Sequence, residues 1–204
     1  GMMLIARGLA LQVTGARAIS GLGESFGELG NGVLWRIERH TGGTFPEVVF
    51  PGIPYPVVLM VVIAVAVSIM LSRTTFGRHI YAVGSNAEAA RLSGLKVGRV
   101  TLLVYTLSGA LSGLTGCVLM SRLVTAQPNE GVMYELDAIA SAVIGGASLI
   151  GGIGTISGTV IGSFVIGILR NGLNMNGVSS FIQQIIIGLV ILLTVWIDQK
   201  RNRA

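Results

Sequence analysis

RTTFGRHIYAVGSNAEAARLSGLKVGR, residues 73–99, is a polar island between two long apolar runs. Tyr55 to Ser72 before it and Val100 to Ser121 after it carry no charged residue. The island holds Arg73, Arg78, Arg91, Lys96 and Arg99 against a single acid, Glu88. Each flanking run has the length of a helix that crosses the hydrocarbon core of a bilayer, about 20 residues. A short loop so biased towards Arg and Lys belongs on the cytoplasmic side. Its centre also reads as a short helix. Ser85-Asn86-Ala87-Glu88 fits the capping-box pattern, with Ser85 as N-cap and Glu88 reaching back from the third helical position. Gly94 suits the first residue past the end. The resulting helix, roughly 12 Å long, is too short to hold in water alone. It needs a surface, either on its own protein or on a partner.

Composition supports the membrane reading. Of 204 residues, 51% are hydrophobic and 11% charged, with a mean hydropathy of +0.77. Soluble domains carry about 25% charged residues. The 30 glycines suit membrane helices, where small residues let backbones approach closely. A membrane barrel would alternate polarity over ~10-residue strands, whereas these segments are continuously apolar. The expected fold is therefore an all-α polytopic membrane helix bundle. The formal charge of +5 is concentrated in the island and the C-terminus. Membrane topology already accounts for it, so nucleic acid is not an expected partner and membrane lipid is. Cys117, the one cysteine, lies in an apolar run, so neither an intrachain disulfide nor a cysteine metal site is expected.

Residues 1–14, GMMLIARGLALQVT, read as a partial span, with Arg7 near a helix end or buried against a partner. The order of charge and apolar residues is not that of a signal peptide. Residues 15–54 mix three basic residues (Arg17, Arg36, Arg39) with four acids (Glu24, Glu28, Glu38, Glu47). They read as an outside loop with one short helix around Phe26 to Arg39, ended by Pro46, Pro51, Pro54 and Pro56. Spans are expected at 55–72 and 100–121. The second carries Gly109 and Gly113 at GxxxG spacing, a packing face. The acidic stretch 122–137 is placed outside.

Residues 138–169 run uncharged for 32 positions, about 48 Å as one helix, too long for one span and short for two. Gly145, Gly146, Gly151, Gly152 and Gly154 would break it. Ser180 to Ile197 reads as the last span, before a basic tail, Asp198 to Arg203, expected to be cytoplasmic. The segment 170–179 then falls outside, so 138–169 must cross an even number of times. A pair of short helices or a re-entrant hairpin meets that condition, with its glycine turn near the inner face. Such a break must be buried in protein or line a wet cavity. Asp137 is the expected N-cap of the first short helix, and Gly154, Gly158 and Gly162 form one face of the second.

Several chemistries are missing. No P-loop signature occurs, so this chain is not expected to hydrolyse nucleotide itself. Gly152, Gly154 and Gly158 miss the dinucleotide-binding spacing by one residue. His40 and His79 are isolated, so no metal is expected. Paired carboxylates for acid–base chemistry are absent from the spans, and an enzyme is not expected. Ion-coupled carriers place ionisable groups inside their spans, which these later spans lack. The polar candidates for a solute path are neutral: Asn171, Asn174, Gln183 and Gln184, with Asn129 and Asn176 beyond them. Neutral groups suit a hydroxyl-rich solute.

Several motifs occur together and in one order. They are Phe76-Gly77-Arg78, Tyr81-Ala82-Val83-Gly84-Ser85-Asn86, Ala89-Ala90-Arg91-Leu92-Ser93-Gly94, Glu135-Leu136-Asp137-Ala138-Ile139-Ala140, Val143-Ile144-Gly145-Gly146 and Gly151-Gly152-Ile153-Gly154-Thr155. With Ala6-Arg7-Gly8-Leu9-Ala10, Asn171-Gly172-Leu173-Asn174 and Val178-Ser179-Ser180, they resemble the permease subunits of bacterial ribose/galactose/xylose-type ABC importers. The resemblance covers the chain apart from 20–54. It implies a bacterial inner-membrane protein, here without roughly its N-terminal third, that takes up a pentose or hexose. It implies a second permease subunit, two cytoplasmic ATPase subunits that carry ATP-Mg, and an extracytoplasmic sugar-binding protein; this chain itself binds no cofactor. It also makes Ser85–Gly94 a coupling helix seated on the ATPase. Arg78, Ser85, Asn86, Glu88, Ala89, Ala90, Arg91, Leu92 and Gly94 would be its working residues, the two alanines letting the partner approach and the two arginines meeting its acids. The alternatives are a branched-chain amino acid or nucleoside permease of the same superfamily, or a truncated membrane scaffold that transports nothing.

Overall fold

A computed structural model describes residues 2–35, 37–39, 47–50 and 52–202. Arg36, His40, Pro46, Pro51 and Arg203, which figure in the sequence reading, lie outside the described residues. The elements run α1 (Met2–Thr14), β1 (Ile19–Ser20), α2 (Glu24–Asn31), β2 (Val33–Leu34), β3 (Ile37–Arg39), β4 (Glu47–Phe50), β5 (Ile53–Pro54), α3 (Tyr55–Arg73), α4 (Thr75–Ser85), α5 (Ala87–Leu92), α6 (Val97–Leu123), β6 (Thr125–Ala126), α7 (Tyr134–Ile144), α8 (Ile156–Met175) and α9 (Ser180–Asn202). Helix dominates. Among the described residues, α3, α6 and α8 are long and apolar enough to cross a membrane.

The sequence reading is corrected in four places. The fold is not purely α, because among the described residues three two-stranded antiparallel pairs form: β1 with β6, β2 with β5, and β3 with β4. The short helix expected around Phe26 to Arg39 is α2, which ends at Asn31. Gly32 turns to extended backbone there, and the chain beyond it enters β2 and β3. Within the polar island, a second helix, α4, precedes the expected one. Finally, 138–169 does not hold two short helices. Its first helix has 11 residues, but α8 has 20 and continues to Met175, into the segment 170–179 expected to lie outside. Arg170 and Asn171 do not stop it, since Arg is a good helix former and a single Asn costs less than about 1 kcal/mol in a helix.

The described chain forms two compact units. One comprises residues 1–63 and 105–130. Here α2 is tied to the C-terminal end of α6, where the last carbonyls of a helix lack intrahelical donors. Asn31 Nδ2 donates to the Ser121 carbonyl at 3.1 Å and to the Arg122 carbonyl at 3.2 Å. Ser121, fully buried, accepts from the Gly30 amide at 2.6 Å and donates to the Phe26 carbonyl. A buried hydroxyl is acceptable only with such partners.

The other unit comprises residues 64–104 and 131–204. In it α7 and α8 run antiparallel, joined by a glycine-rich break over 145–155. Their seam is built from small residues. A Cβ at Gly158 would run into the Gly145 carbonyl oxygen, and one at Gly162 into that of Ser141. Ser141 and Gly145 are four apart on α7, as are Gly158 and Gly162 on α8, so each pair lies on one helix face. The two backbones thus pack without intervening side chains, as small-residue seams in membrane helices do.

Candidate functional site

The polar island begins at a corner. Thr74 Oγ1 donates to the Met70 carbonyl at 2.6 Å, near the end of α3, and accepts from the Gly77 amide at 3.1 Å, at the start of α4. Gly77 is buried there, so close to α3 that a Cβ would strike the Leu71 carbonyl. One residue, Asn86, then separates α4 from α5. It is the C-cap of the first and the N-cap of the second, with extended backbone at φ −158°, ψ 102°. Asn86 Oδ1 accepts from the Ala89 amide at 3.0 Å.

This corrects the expected cap. Ser85 remains helical as the last residue of α4, its hydroxyl donating to the Ala82 carbonyl at 3.1 Å. Asn caps a helix as well as Ser does, and the continuation of α4 decides between the neighbours. Glu88 consequently sits one position too early to close a capping box. It pairs instead with Arg91 at 2.6 Å, both side chains about two-thirds exposed. A pair so exposed is worth little and leaves both charges accessible. The other end follows expectation. Gly94 has φ +85°, its amide donates to Arg91, and Leu95 donates to Ala90. This is the Schellman pattern that satisfies the last carbonyls.

Of the two small residues expected to face a partner, Ala89 is exposed, whereas Ala90 is buried within this chain, at 5% exposure. Leu92 is 79% exposed, the largest apolar side chain α5 presents. Arg78 on α4 is exposed as well.

The glycine break lies against the C-terminal end of α4. Tyr81 Oη donates to the Gly154 carbonyl at 2.7 Å. One turn further on, a Cβ at Gly84 would lie 2.7 Å from the Gly152 amide nitrogen, and one at Gly151 would run into the Gly84 carbonyl oxygen. Gly151 and Gly152 have φ of +106° and +74°, a region favourable for glycine alone. Gly146, at φ +87°, ends α7 with amide bonds from Gly146 to Val143 and from Ala147 to Ala142. Thr155 starts α8 by accepting from the Gly158 amide at 3.1 Å.

At the far end of the hairpin the sequence reading is corrected again. Asp137 is not an N-cap, since α7 begins at Tyr134 behind Met133. Its carboxylate meets Arg170 of α8, whose Nη2 lies 2.8 Å from each carboxylate oxygen. Neither this ion pair nor the Tyr81 and Gly84 contacts were singled out by sequence. The signal for the pair was opposite charge at the two ends of an uncharged stretch.

The remaining candidates are dispersed. Asn171 and Asn174 lie exposed near the end of α8, and Gln184 is exposed near the start of α9. Gln183 donates to the Val178 carbonyl at 2.8 Å, so its amide nitrogen serves the local backbone. On α6, a Cβ at Gly109 or Gly113 would meet nothing within 4 Å, so no neighbour among the described residues fills that groove. No group of three or more metal-ligating side chains occurs among the described residues.

Comparison with known proteins matches residues 1–195 to the family "Branched-chain amino acid transport system / permease component". The ribose import permease protein RbsC of Bacillus subtilis (strain 168) is 46% identical over 200 residues, 98% of this chain and 58% of that protein. RbsC of Escherichia coli (strain K12) is 49% identical over 151 residues, 74% of this chain and 47% of that protein. The xylose transport system permease protein XylH of Escherichia coli (strain K12) is 45% identical over 154 residues, 76% of this chain and 39% of that protein. The chain thus spans about half the length of the curated relatives it matches. No solved structure matches significantly.

Proposed function

Since the chain belongs to the permease-component family of branched-chain amino acid transport systems, a family of transport subunits and not of enzymes, we propose that it forms part of the membrane pathway of an ATP-driven importer for a monosaccharide. Pentoses come first, because the relatives are named for ribose and xylose. In this reading the importer pairs two permease subunits in the bacterial inner membrane. A solute-binding protein meets them outside, and two ATPase subunits, with their ATP-Mg, dock inside.

One observation carries the coupling step. Helix α5 is capped at both ends by its own residues, yet Leu92 is left 79% exposed beside the exposed Ala89 and the Glu88–Arg91 pair. An ordered six-residue helix with an apolar tip and loosely engaged charges is suited to a groove on a soluble partner. The basic excess of residues 73–99 favours a cytoplasmic position, where the ATPase is. Contact between the glycine break and α4 supports the break lying near that same face, so that 134–175 leaves and returns as a re-entrant hairpin. Asn171, Asn174, Gln183 and Gln184 remain proposed contributors to the solute path.

Leu92→Asp tests the docking. It places a charge in the proposed interface while leaving both caps intact, and co-purification with the ATPase should fall at least tenfold. Unchanged association would show that α5 is not the docking element. The family description itself favours a second solute, a branched-chain amino acid. Uptake of labelled ribose, xylose and leucine by the same reconstituted importer separates the two readings.

A further inference from the structure

If α5 receives the ATPase stroke, as the preceding reading holds, the stroke must pass from α5 into helices that line a pathway. We propose that Tyr81 and Gly84 are the positioning residues that pass it, by holding the end of α4 on the glycine break of the α7/α8 hairpin. The first link is Asn86, a single residue between α4 and α5, so movement of α5 pulls directly on the end of α4. The second link is the contact at that end. Gly84 meets Gly151 and Gly152 backbone to backbone, and a Cβ at any of the three would clash with the opposing chain. Tyr81, one turn earlier on the same face, donates to the Gly154 carbonyl at 2.7 Å.

Such a contact is stiff. Side chains between two elements can absorb a displacement by changing rotamer, whereas a contact that leaves no room for a Cβ on either side has no side chain to give way. The hydrogen bond resists separation as the glycine contact resists approach. The third link is the hairpin itself. Its seam is again backbone on backbone at Ser141/Gly162 and Gly145/Gly158, closed at the far end by Asp137 and Arg170. A push or pull at residues 151–154 therefore moves α7 and α8 together. Residues 151–154 combine two left-handed glycines with a tyrosine-bound carbonyl, a geometry beyond what a helix break alone requires.

The test separates association from coupling. In the importer reconstituted with its ATPase and binding protein, Gly84→Ala should leave ATPase co-purification unchanged. Labelled ribose or xylose taken up per ATP hydrolysed should fall at least fivefold. Tyr81→Phe keeps the ring and removes one hydrogen bond, so the same ratio should fall about two- to tenfold, the scale of one such bond. Wild-type coupling ratios in Gly84→Ala overturn the proposal. If Gly84→Ala does not assemble, Tyr81→Phe decides alone, and an unchanged ratio overturns it. Failure of the docking reading looks different, because Leu92→Asp would then retain the ATPase whatever the coupling ratio of the Gly84 variant.

Discussion

Replacing Arg170 alone should destabilise the α7/α8 hairpin more than replacing Arg170 and Asp137 together. The Arg170 guanidinium lies 2.8 Å from both Asp137 oxygens, with the two side chains 41% and 22% exposed. Removing one partner of a fully buried pair costs about 3–5 kcal/mol because the other charge is stranded. A fully exposed pair is worth about 0–1 kcal/mol. Partial exposure places this one between, so Arg170→Met or Asp137→Leu should each cost about 1.5–3 kcal/mol. The double variant removes both desolvated charges. Arg170 Nε is also buried without a hydrogen-bond partner among the described residues, so part of the desolvation cost of the wild-type pair is uncompensated. The Arg170→Met/Asp137→Leu protein should accordingly lie within about 1 kcal/mol of wild type. A double-mutant cycle, read from unfolding by sodium dodecyl sulfate in detergent micelles, measures the coupling directly and should return about 2–6 kcal/mol, the two single costs less that of the double variant. Single costs that add to within about 0.5 kcal/mol in the double variant would refute the reasoning, since no electrostatic clamp would then close the hairpin.

Two other perturbations probe the backbone contacts and the caps. Gly162→Leu puts a Cβ into the Ser141 carbonyl and should cost more than the ~1–3 kcal/mol typical of overpacking, because backbone cannot rotate away. Monodisperse protein recovered in detergent should drop several-fold, while Gly167→Leu, whose Cβ meets nothing within 4 Å, should purify normally. Asn86→Ala removes the α5 N-cap at a cost of about 1 kcal/mol, so amide exchange at Ala89 should quicken about fivefold. Asn86→Ser should restore the slow rate.

The helical plan was legible because its signals are local and redundant. Long uncharged runs announce α3 and α6, and a cluster of glycines announces the interruption between α7 and α8. Gly94 was legible for the same reason, since few residues tolerate a positive φ. What stayed hidden depended on competition or distance. Ser85 and Asn86 are both good caps, and the choice turned on whether α4 reached Ser85, which its neighbours in sequence do not specify. The pairing of β2 with β5 brings Val33 opposite Pro54, a two-residue match with no periodicity to read. Asp137 looks like a cap from sequence, and only the antiparallel return of α8 supplies Arg170, 33 residues on. Tyr81 and Gly84 stand within one of the motifs that carry the family resemblance, but their contacts are invisible until the glycine break is folded against them.

The joints at Thr74 and Asn86 leave the polar island no slack in length. Each separates two helices by a single residue, so the direction of the next helix depends on very few backbone torsions. An added residue would lengthen a helix by one step, about 1.5 Å, and swing everything downstream through about 100°. Leu92 would then point away from any groove it had fitted. Substitutions there alter affinity by degrees, but an insertion or deletion changes the address. Epitope tags and reporter cysteines are therefore better introduced by replacement than by insertion between Arg73 and Gly94, and natural variation there should take the form of exchanged residues at constant length.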